Sequence, residues 1–383
     1  MKSLNQKNRN SRETFTEREI GSQPKLWKDT FSKVLSERQQ LLDFFAKHGI
    51  APESDTNIVL TGAGSSAFIG EIAQFAFRKA GYKRAQAVST TDLVTHFREI
   101  IDLASPLLLI SFGRSGNSPE SKATIELANK LCDKVNHLII SCNEDGQLAT
   151  MADSSNYYAF ILPPEAEDQS LAMTGSFSSM TLAAALIADL ANVTTQKETV
   201  TQLASDALSI LNNDSQTLEK IAKKEFSRII FLGDGPLLGC ARESHLKVQE
   251  LTDGKVVGKF DSFLGFRHGP KAVLDKQSVI VYLLSNQGPV RRYQKDLIKQ
   301  IADQNLGMYT LAVGTYDNQG SFVDGFISLP ESSGCQEQFL TLPYILVAQL
   351  IGLFKAKMLG LNPDNPSENG AISRVVEGVT IYQ

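Results

Sequence analysis

Ile58-Val59-Leu60-Thr61-Gly62-Ala63-Gly64-Ser65-Ser66-Ala67 sets the pattern of this chain, and Ile229-Ile230-Phe231-Leu232-Gly233-Asp234-Gly235 repeats it. Each stretch is a short run apolar on both faces, as suits a buried parallel strand, followed by glycines that suit a tight strand-to-helix turn. Outward from the first lie Gln86-Ala87-Val88, Leu107-Leu108-Leu109-Ile110, His137-Leu138-Ile139-Ile140 and Tyr158-Ala159-Phe160-Ile161-Leu162, with helix-sized amphipathic segments between them. Outward from the second lie Val279 to Ser285, Tyr309 to Val313 and Phe326 to Leu329. The shift is nearly constant: 172 positions from Leu60 to Leu232, 174 from Leu109 to Leu283, 172 from Ser141 to Val313 and 167 from Pro163 to Pro330. Short apolar runs alternating with helices predict a parallel sheet covered on both faces. A repeat of this length is a domain duplication rather than a solenoid. The expectation is an α/β protein of two tandem, doubly wound parallel-sheet domains. Residues 50–214 form the first and 215–383 the second, with a long helical stretch over about 178–225.

Ahead of the first half, residues 1–24 are polar and read as a loose arm. From Leu26 through Phe31, Val34, Leu35, Leu41, Leu42, Phe44 and Phe45 the apolar spacing predicts a helical lead-in that ends near Gly49. Residues 1–49 are therefore set apart as arm and helix.

Composition narrows the function classes. The chain has 383 residues, 42% of them hydrophobic and 21% charged, enough for packed cores and too apolar for a disordered chain. A net charge of −4 gives no electrostatic footprint for nucleic acid. Cys132, Cys142, Cys240 and Cys335 are scattered, with no CxxC pair, so no zinc site or disulfide framework is expected. The polar start, Met1-Lys2-Ser3-Leu4, is no secretory signal, and no apolar run reaches the roughly 18 residues of a membrane span. The expectation is a cytoplasmic protein with no membrane or nucleic-acid partner.

In open parallel sheets ligands bind beyond the carboxyl ends of the strands, where helix N-termini point free N–H groups outward. Two loops there are dense in glycine and serine: Thr61 to Ala67, and Ser111-Phe112-Gly113-Arg114-Ser115-Gly116-Asn117-Ser118-Pro119-Glu120-Ser121. Glycine admits an anion close to the backbone, and hydroxyls add uncharged donors. The pair reads as a phosphate cradle. Gly62-x-Gly64-x-x-Ala67 also fits the dinucleotide fingerprint, which wants an acid at the end of the next strand. Val88-Ser89-Thr90 stands there instead, and Asp92 comes late. An ordinary glycine–serine connector is a further reading of the first loop. In the second half, Gly233-Asp234-Gly235-Pro236 carries an acid and a proline and suits an anion poorly, so that half is expected to hold something else.

That something follows Gly239. On a helix Glu243, Lys247 and Glu250 fall at i, i+4 and i+7 and share one face. Such a face is ordinarily solvated and salt-bridged. The next segment, Gly265-Phe266-Arg267-His268-Gly269-Pro270-Lys271, puts a histidine on a turn, where it either caps the turn or enters a site. The chain has only five histidines.

With these motifs the chain resembles paired sugar-isomerase (SIS, flavodoxin-like) domains. It is similar to the isomerase portion of glutamine–fructose-6-phosphate aminotransferase over roughly 45–375. The Ser111–Ser121 and Phe263–Pro270 stretches look most like the AgaS group, galactosamine-6-phosphate deaminase/isomerases also labelled tagatose-6-phosphate ketose/aldose isomerases. The resemblance implies that Gly64, Ser65, Ser66, Arg114, Ser115, Asn117 and Ser118 bind the sugar phosphate. Thr174 would contact sugar hydroxyls. Glu250 would move a proton between C2 and C1, with Lys247 and Glu243 as its neighbours. His268 would open the ring from a neighbouring subunit, so a homodimer or larger assembly with shared sites is implied.

The residue types suit that chemistry. Aldose–ketose interconversion needs a carboxylate to shuttle a proton and an imidazole to pass the ring proton; it calls for no metal and no cofactor. Residue 2 is Lys and the sequence begins well short of a glutaminase domain, so glutamine is not the expected ammonia donor. The aminotransferase carries a Schiff-base lysine in its C-terminal tail. Here 362–383 contains no lysine, only Arg374. The favoured reading is conversion of galactosamine 6-phosphate to tagatose 6-phosphate plus ammonia. A simple ketose/aldose isomerase, a non-catalytic sugar-phosphate sensor and a dinucleotide oxidoreductase are the alternatives. Asp234 is read as a helix cap.

Overall fold

The computed structural model describes residues 13–151, 154–315, 322–330, 335–376 and 378–382. From Phe15 onward the expected loose arm is helical. α1 (Phe15–Ser36) starts a dozen residues before the apolar periodicity becomes legible, because Thr14 and Glu17 form a reciprocal capping box. Pro24 sits inside this helix and cannot donate to the carbonyl of Ile20. The Gln23 side chain donates to that carbonyl instead, at 3.3 Å. A break at Glu37 separates α1 from α2 (Arg38–His48), which ends on Gly49 at φ 68°. The part of the predicted arm over residues 1–12 lies outside the described residues.

The first half runs β1 (Asn57–Thr61), α3 (Ser65–Lys79), β2 (Ala85–Ala87), α4 (Thr90–Ile100), β3 (Leu107–Gly113), α5 (Pro119–Leu131), β4 (Val135–Ser141), α6 (Gln147–Thr150) and β5 (Tyr157–Ile161). After it come α7 (Gly175–Ile187), α8 (Lys197–Ser209) and α9 (Ser215–Ala222), the expected helical stretch, with one π-helical turn at 210–214. The second half runs β6 (Arg228–Leu232), α10 (Pro236–Leu251), β7 (Val257–Asp261), β8 (Ser278–Leu283), α11 (Gly288–Asp303), β9 (Tyr309–Thr315), β10 (Gly325–Leu329) and α12 (Glu337–Met358).

Both sheets are parallel and five-stranded, and their strand orders match: β2-β1-β3-β4-β5 and β7-β6-β8-β9-β10. Leu60 pairs with Ile110 as Leu232 pairs with Tyr282. The order reverses between β1 and β3, and again between β6 and β8, so a ligand crevice is expected at each of those strand ends. β7 was not legible in the sequence. It is an edge strand whose Val257 and Lys259 face solvent, so it shows no continuous apolar run.

The halves meet through equivalent helices, α3 and α10. At Gly239 a Cβ would lie 2.8 Å from Ile72 Cγ1, so only glycine lets α10 approach α3 this closely. α12 packs behind α10 and enters the same core as α1 and α7. α12 is long and apolar enough to cross a membrane by length and composition, although polar residues interrupt it. That apolar window is, however, 94% buried inside the protein, as in an interior helix.

Candidate active site

Gly62 and Gly64 shape the β1–α3 turn. A Cβ on Gly62 would lie 2.5 Å from Ser66 Cβ, and Gly64 adopts φ 56°, ψ −128°. The β6–α10 turn follows the same path: a Cβ on Gly233 would lie 2.3 Å from the Leu237 carbonyl oxygen, and Gly235 adopts φ 55°, ψ −129°. The glycines thus have a steric reason in both halves, and what differs is what faces each turn. The first opens on a cavity. The second faces the buried Glu337, whose Oε2 accepts from Gln287 Nε2 at 3.0 Å and would lie 3.6 Å from a Cβ on Gly235. Asp234 is not the helix cap that was expected. Gly235 holds the N-cap position of α10, and Asp234 accepts from Phe263 N at 3.1 Å and Gln294 Nε2 at 2.9 Å, tying two loops together.

A cavity of about 480 Å³ lies over the first turn, walled by Ala63, Gly64, Ser65, Arg114, Leu246 and Glu250. A smaller one of about 130 Å³ adjoins it, lined by Ser66, Ser115, Gly116, Ser118, Glu120 and Ser121. Ala63, Arg114, Met173, Arg374 and Val376 belong to both walls. The small cavity faces the start of α5, where Ser118 Oγ caps the helix by accepting from Ser121 N at 3.3 Å. Hydroxyls and a helix N-terminus give it the character of an anion site.

The charged face of α10 is salt-bridged but not solvated. Lys247 is fully buried, 3.2 Å from Glu243 Oε1 and 2.6 Å from Glu250 Oε2. Ser65, at the start of α3, joins the group from the other half: its Oγ donates to Glu243 Oε1 at 3.0 Å and accepts from Lys247 Nζ at 3.1 Å. Burial raises the Glu243 pKa to about 7 against the pull of Lys247. Burial opposes the Lys247 charge, but attraction from Glu243 and Glu250 outweighs it and the ammonium pKa is raised. Glu250 alone of the three lines the cavity, so the triad presents one supported carboxylate to whatever enters.

Arg114 is buried, and three of its donors go to carbonyls. Nη1 donates to Ser170 O and Leu171 O, both at 3.0 Å, and Nη2 to Arg374 O at 2.5 Å. It therefore clamps two segments that wall the cavity rather than standing free. The 167–176 loop is pinned again by Asp168. That carboxylate accepts from Thr174 N at 2.7 Å, Gly175 N at 3.1 Å and Ser176 N at 2.9 Å, capping α7. Arg374, in the tail, donates back to Asp168 O from Nε at 3.0 Å and Nη2 at 2.6 Å. Sequence reading missed Glu120, Asp168, Arg374 and the Gly370–Val376 roof. The one available signal was that Arg374 is the single basic residue of the tail.

Besides the buried Glu243 and Lys247, three more expected site residues line neither cavity. Thr174 is fully buried, its Oγ1 donating to Asp168 Oδ1 at 3.0 Å, and its neighbour Met173 faces the cavities instead. Asn117 Oδ1 accepts from Gln147 N at 3.0 Å and fixes the loop. His268 is exposed, at the end of the short 3₁₀ turn Gly265–Arg267. Among the described residues, no cluster of three or more His, Cys, Asp or Glu could hold a metal ion.

The SIS domain family matches residues 53–190. Over 372 residues the chain is 37% identical to D-galactosamine-6-phosphate deaminase AgaS of Shewanella sp. (strain ANA-3), covering 96% of this chain and 92% of that one. The chain belongs to the AgaS family of SIS-domain proteins. A second AgaS relative, D-galactosamine-6-phosphate deaminase of Escherichia coli, is 38% identical over 371 residues, 96% of each chain. The crystal structure of tagatose-6-phosphate ketose/aldose isomerase from Escherichia coli superposes on this AgaS-family fold with a TM-score of 0.88 at 35% identity, covering 97% of this chain and 96% of that one. Glucosamine-6-phosphate deaminase from Thermotoga maritima, at 23% identity and a TM-score of 0.73, shares the fold.

Proposed function

We propose that this chain is a deaminating isomerase that converts galactosamine 6-phosphate and water into tagatose 6-phosphate and ammonia. The observation that carries this reading is the position of Glu250. Its side chain, on the second half, walls the same cavity as the Ala63–Ser65 turn and Arg114 of the first. The neighbouring small cavity, with Ser66, Ser115 and Ser118 at two helix starts, takes the phosphate. Binding energy from that phosphate orients the far end of the sugar, where bonds change.

The ring proton passes through His268, and the ring opens to a C1 aldehyde. Glu250 takes the proton from C2 as O1 gains a proton from solvent, leaving an enolamine, and then returns its proton to C1 as the nitrogen gives one up to solvent. C1 is then a hydroxymethyl group and C2 an imine. Water adds to C2, the C–N bond breaks, and ammonia leaves behind a C2 ketone. His268 lines neither cavity of its own chain; in this reading, which follows the family resemblance, a second copy supplies it and the working unit is a homodimer or larger.

Ammonia release, measured over a panel of aminosugar 6-phosphates, tests the reaction. Wild type should release ammonia from galactosamine 6-phosphate, and Glu250→Gln should lose about a hundredfold or more of that rate while still binding phosphate. A wild-type rate matched by Glu250→Gln would sink the mechanism, and absence of turnover in both would leave a sugar-phosphate sensor. The name of the Escherichia coli structural relative supports a second reading, isomerisation without nitrogen loss. Ketose formation without ammonia would decide for it.

A further inference from the structure

Four charged residues line the two cavities: Glu120, Glu250, Arg114 and Arg374. A phosphate held among them by hydroxyls and helix N–H groups gains further from a cation with donors to spare. Arg114 has already given three hydrogen bonds to carbonyls of the walls. Arg374 is placed differently. Its Nε and Nη2 donate to Asp168 O and, for Nη2, to the Glu167 carboxylate at 3.2 Å, and neither partner residue lines a cavity. Its Nη1 has no protein partner among the described residues, while the residue lines both cavities where they adjoin. A guanidinium is a planar fork whose two edges can serve two acceptors at once, which a lysine ammonium on a flexible stem cannot reproduce.

We propose that Arg374 is a substrate-binding residue. One edge of its guanidinium latches the tail to the 167–171 loop, and the other meets the anionic phosphate of the sugar phosphate at the boundary of the two cavities. The inference rests on the phosphate position given under the proposed function. It assigns the cationic partner of that phosphate to the tail rather than to the loops of the first sheet. Phosphate binding and closure of the roof then share one side chain.

Calorimetric titration of the full chain with inorganic phosphate alone tests this. Arg374→Gln should weaken phosphate binding about tenfold or more. Arg374→Lys keeps the charge and loses the fork, so about threefold is expected. In the ammonia-release assay, Arg374→Gln should raise KM by a similar factor and change kcat less. The side chain is 31% exposed, and thermal melting of each variant checks that it folds. If Arg374→Gln does not fold, Arg374→Lys decides alone. Unchanged phosphate affinity in either variant overturns the proposal. So does an equal loss in both, since the guanidinium would then be only a latch. Wild type that binds phosphate but releases no ammonia defeats the proposed reaction and leaves this assignment standing; wild type that binds no phosphate defeats both.

Discussion

Glu243 has no route to water, and its Oε2 has no hydrogen-bond partner among the described residues. Burial therefore lifts its pKa from the ordinary 4.5 to about 7 even with Lys247 beside it. Lys247 is shared by two carboxylates when Glu243 is ionised and belongs to Glu250 alone when Glu243 is protonated. The rate should therefore show an inflection near pH 7 that Glu243→Gln removes, visible in kcat/KM between pH 5.5 and 8.5 or so. Stability follows with a definite sign. Between about pH 4.5 and 7 the folded chain holds a proton that the unfolded chain releases, so this group's contribution falls as pH rises through that window. Urea unfolding at pH 5 and pH 8 should find Glu243→Gln gaining on wild type at the higher pH. A constant difference would place the titration elsewhere.

Helix starts and helix contacts carry the next predictions. Ser118 both caps α5 and lines the small cavity, whereas Ser115 lines it without capping a helix. Ser118→Ala should lose about 1 kcal/mol of stability and also raise KM, and Ser115→Ala should raise KM alone. Denaturant melts and steady-state kinetics on the two variants separate the roles. The α3–α10 contact is tight for a reason the sequence hides, since Gly239 is needed by a neighbour from the other half. Gly239→Val would drive a methyl into Ile72 and part the two helices. About 1–3 kcal/mol of destabilisation is expected. Turnover should fall with it, because Ser65 would draw away from Glu243 and Lys247. Full activity in a folded Gly239→Val protein would show that the Ser65 link is dispensable.

Across the whole molecule, the position of His268 makes the sharpest forecast. This histidine is exposed and lines neither cavity of its own chain, and the proposed mechanism has another copy supply it. Glu250→Gln and His268→Ala should each be inactive alone. Mixed and reassociated, they should recover roughly a quarter of wild-type activity in a dimer, because a mixed pair contains one intact site. No recovery in a mixture shown by native mass spectrometry to contain hybrids would place His268 outside the reaction.

Much of this was readable before any fold was known, because it is local. A strand buried on both faces needs a continuous apolar run, a tight strand-to-helix turn needs glycine, and charges at i, i+4 and i+7 must share a helical face. Those rules act over a few neighbouring residues, and duplication wrote them twice at a nearly constant spacing. Chain contiguity could not say whether the face of α10 was wet or dry. That depended on Ser65, 178 residues away, being carried onto it by α3. Nor could it foretell that Glu337 fills the second turn while the first stays open, or that residues 370–376 return to roof the cavity with Arg374 fastened to Asp168. Contacts between distant segments have no period and no local propensity to betray them; they exist only once packing has decided which surfaces lose their water.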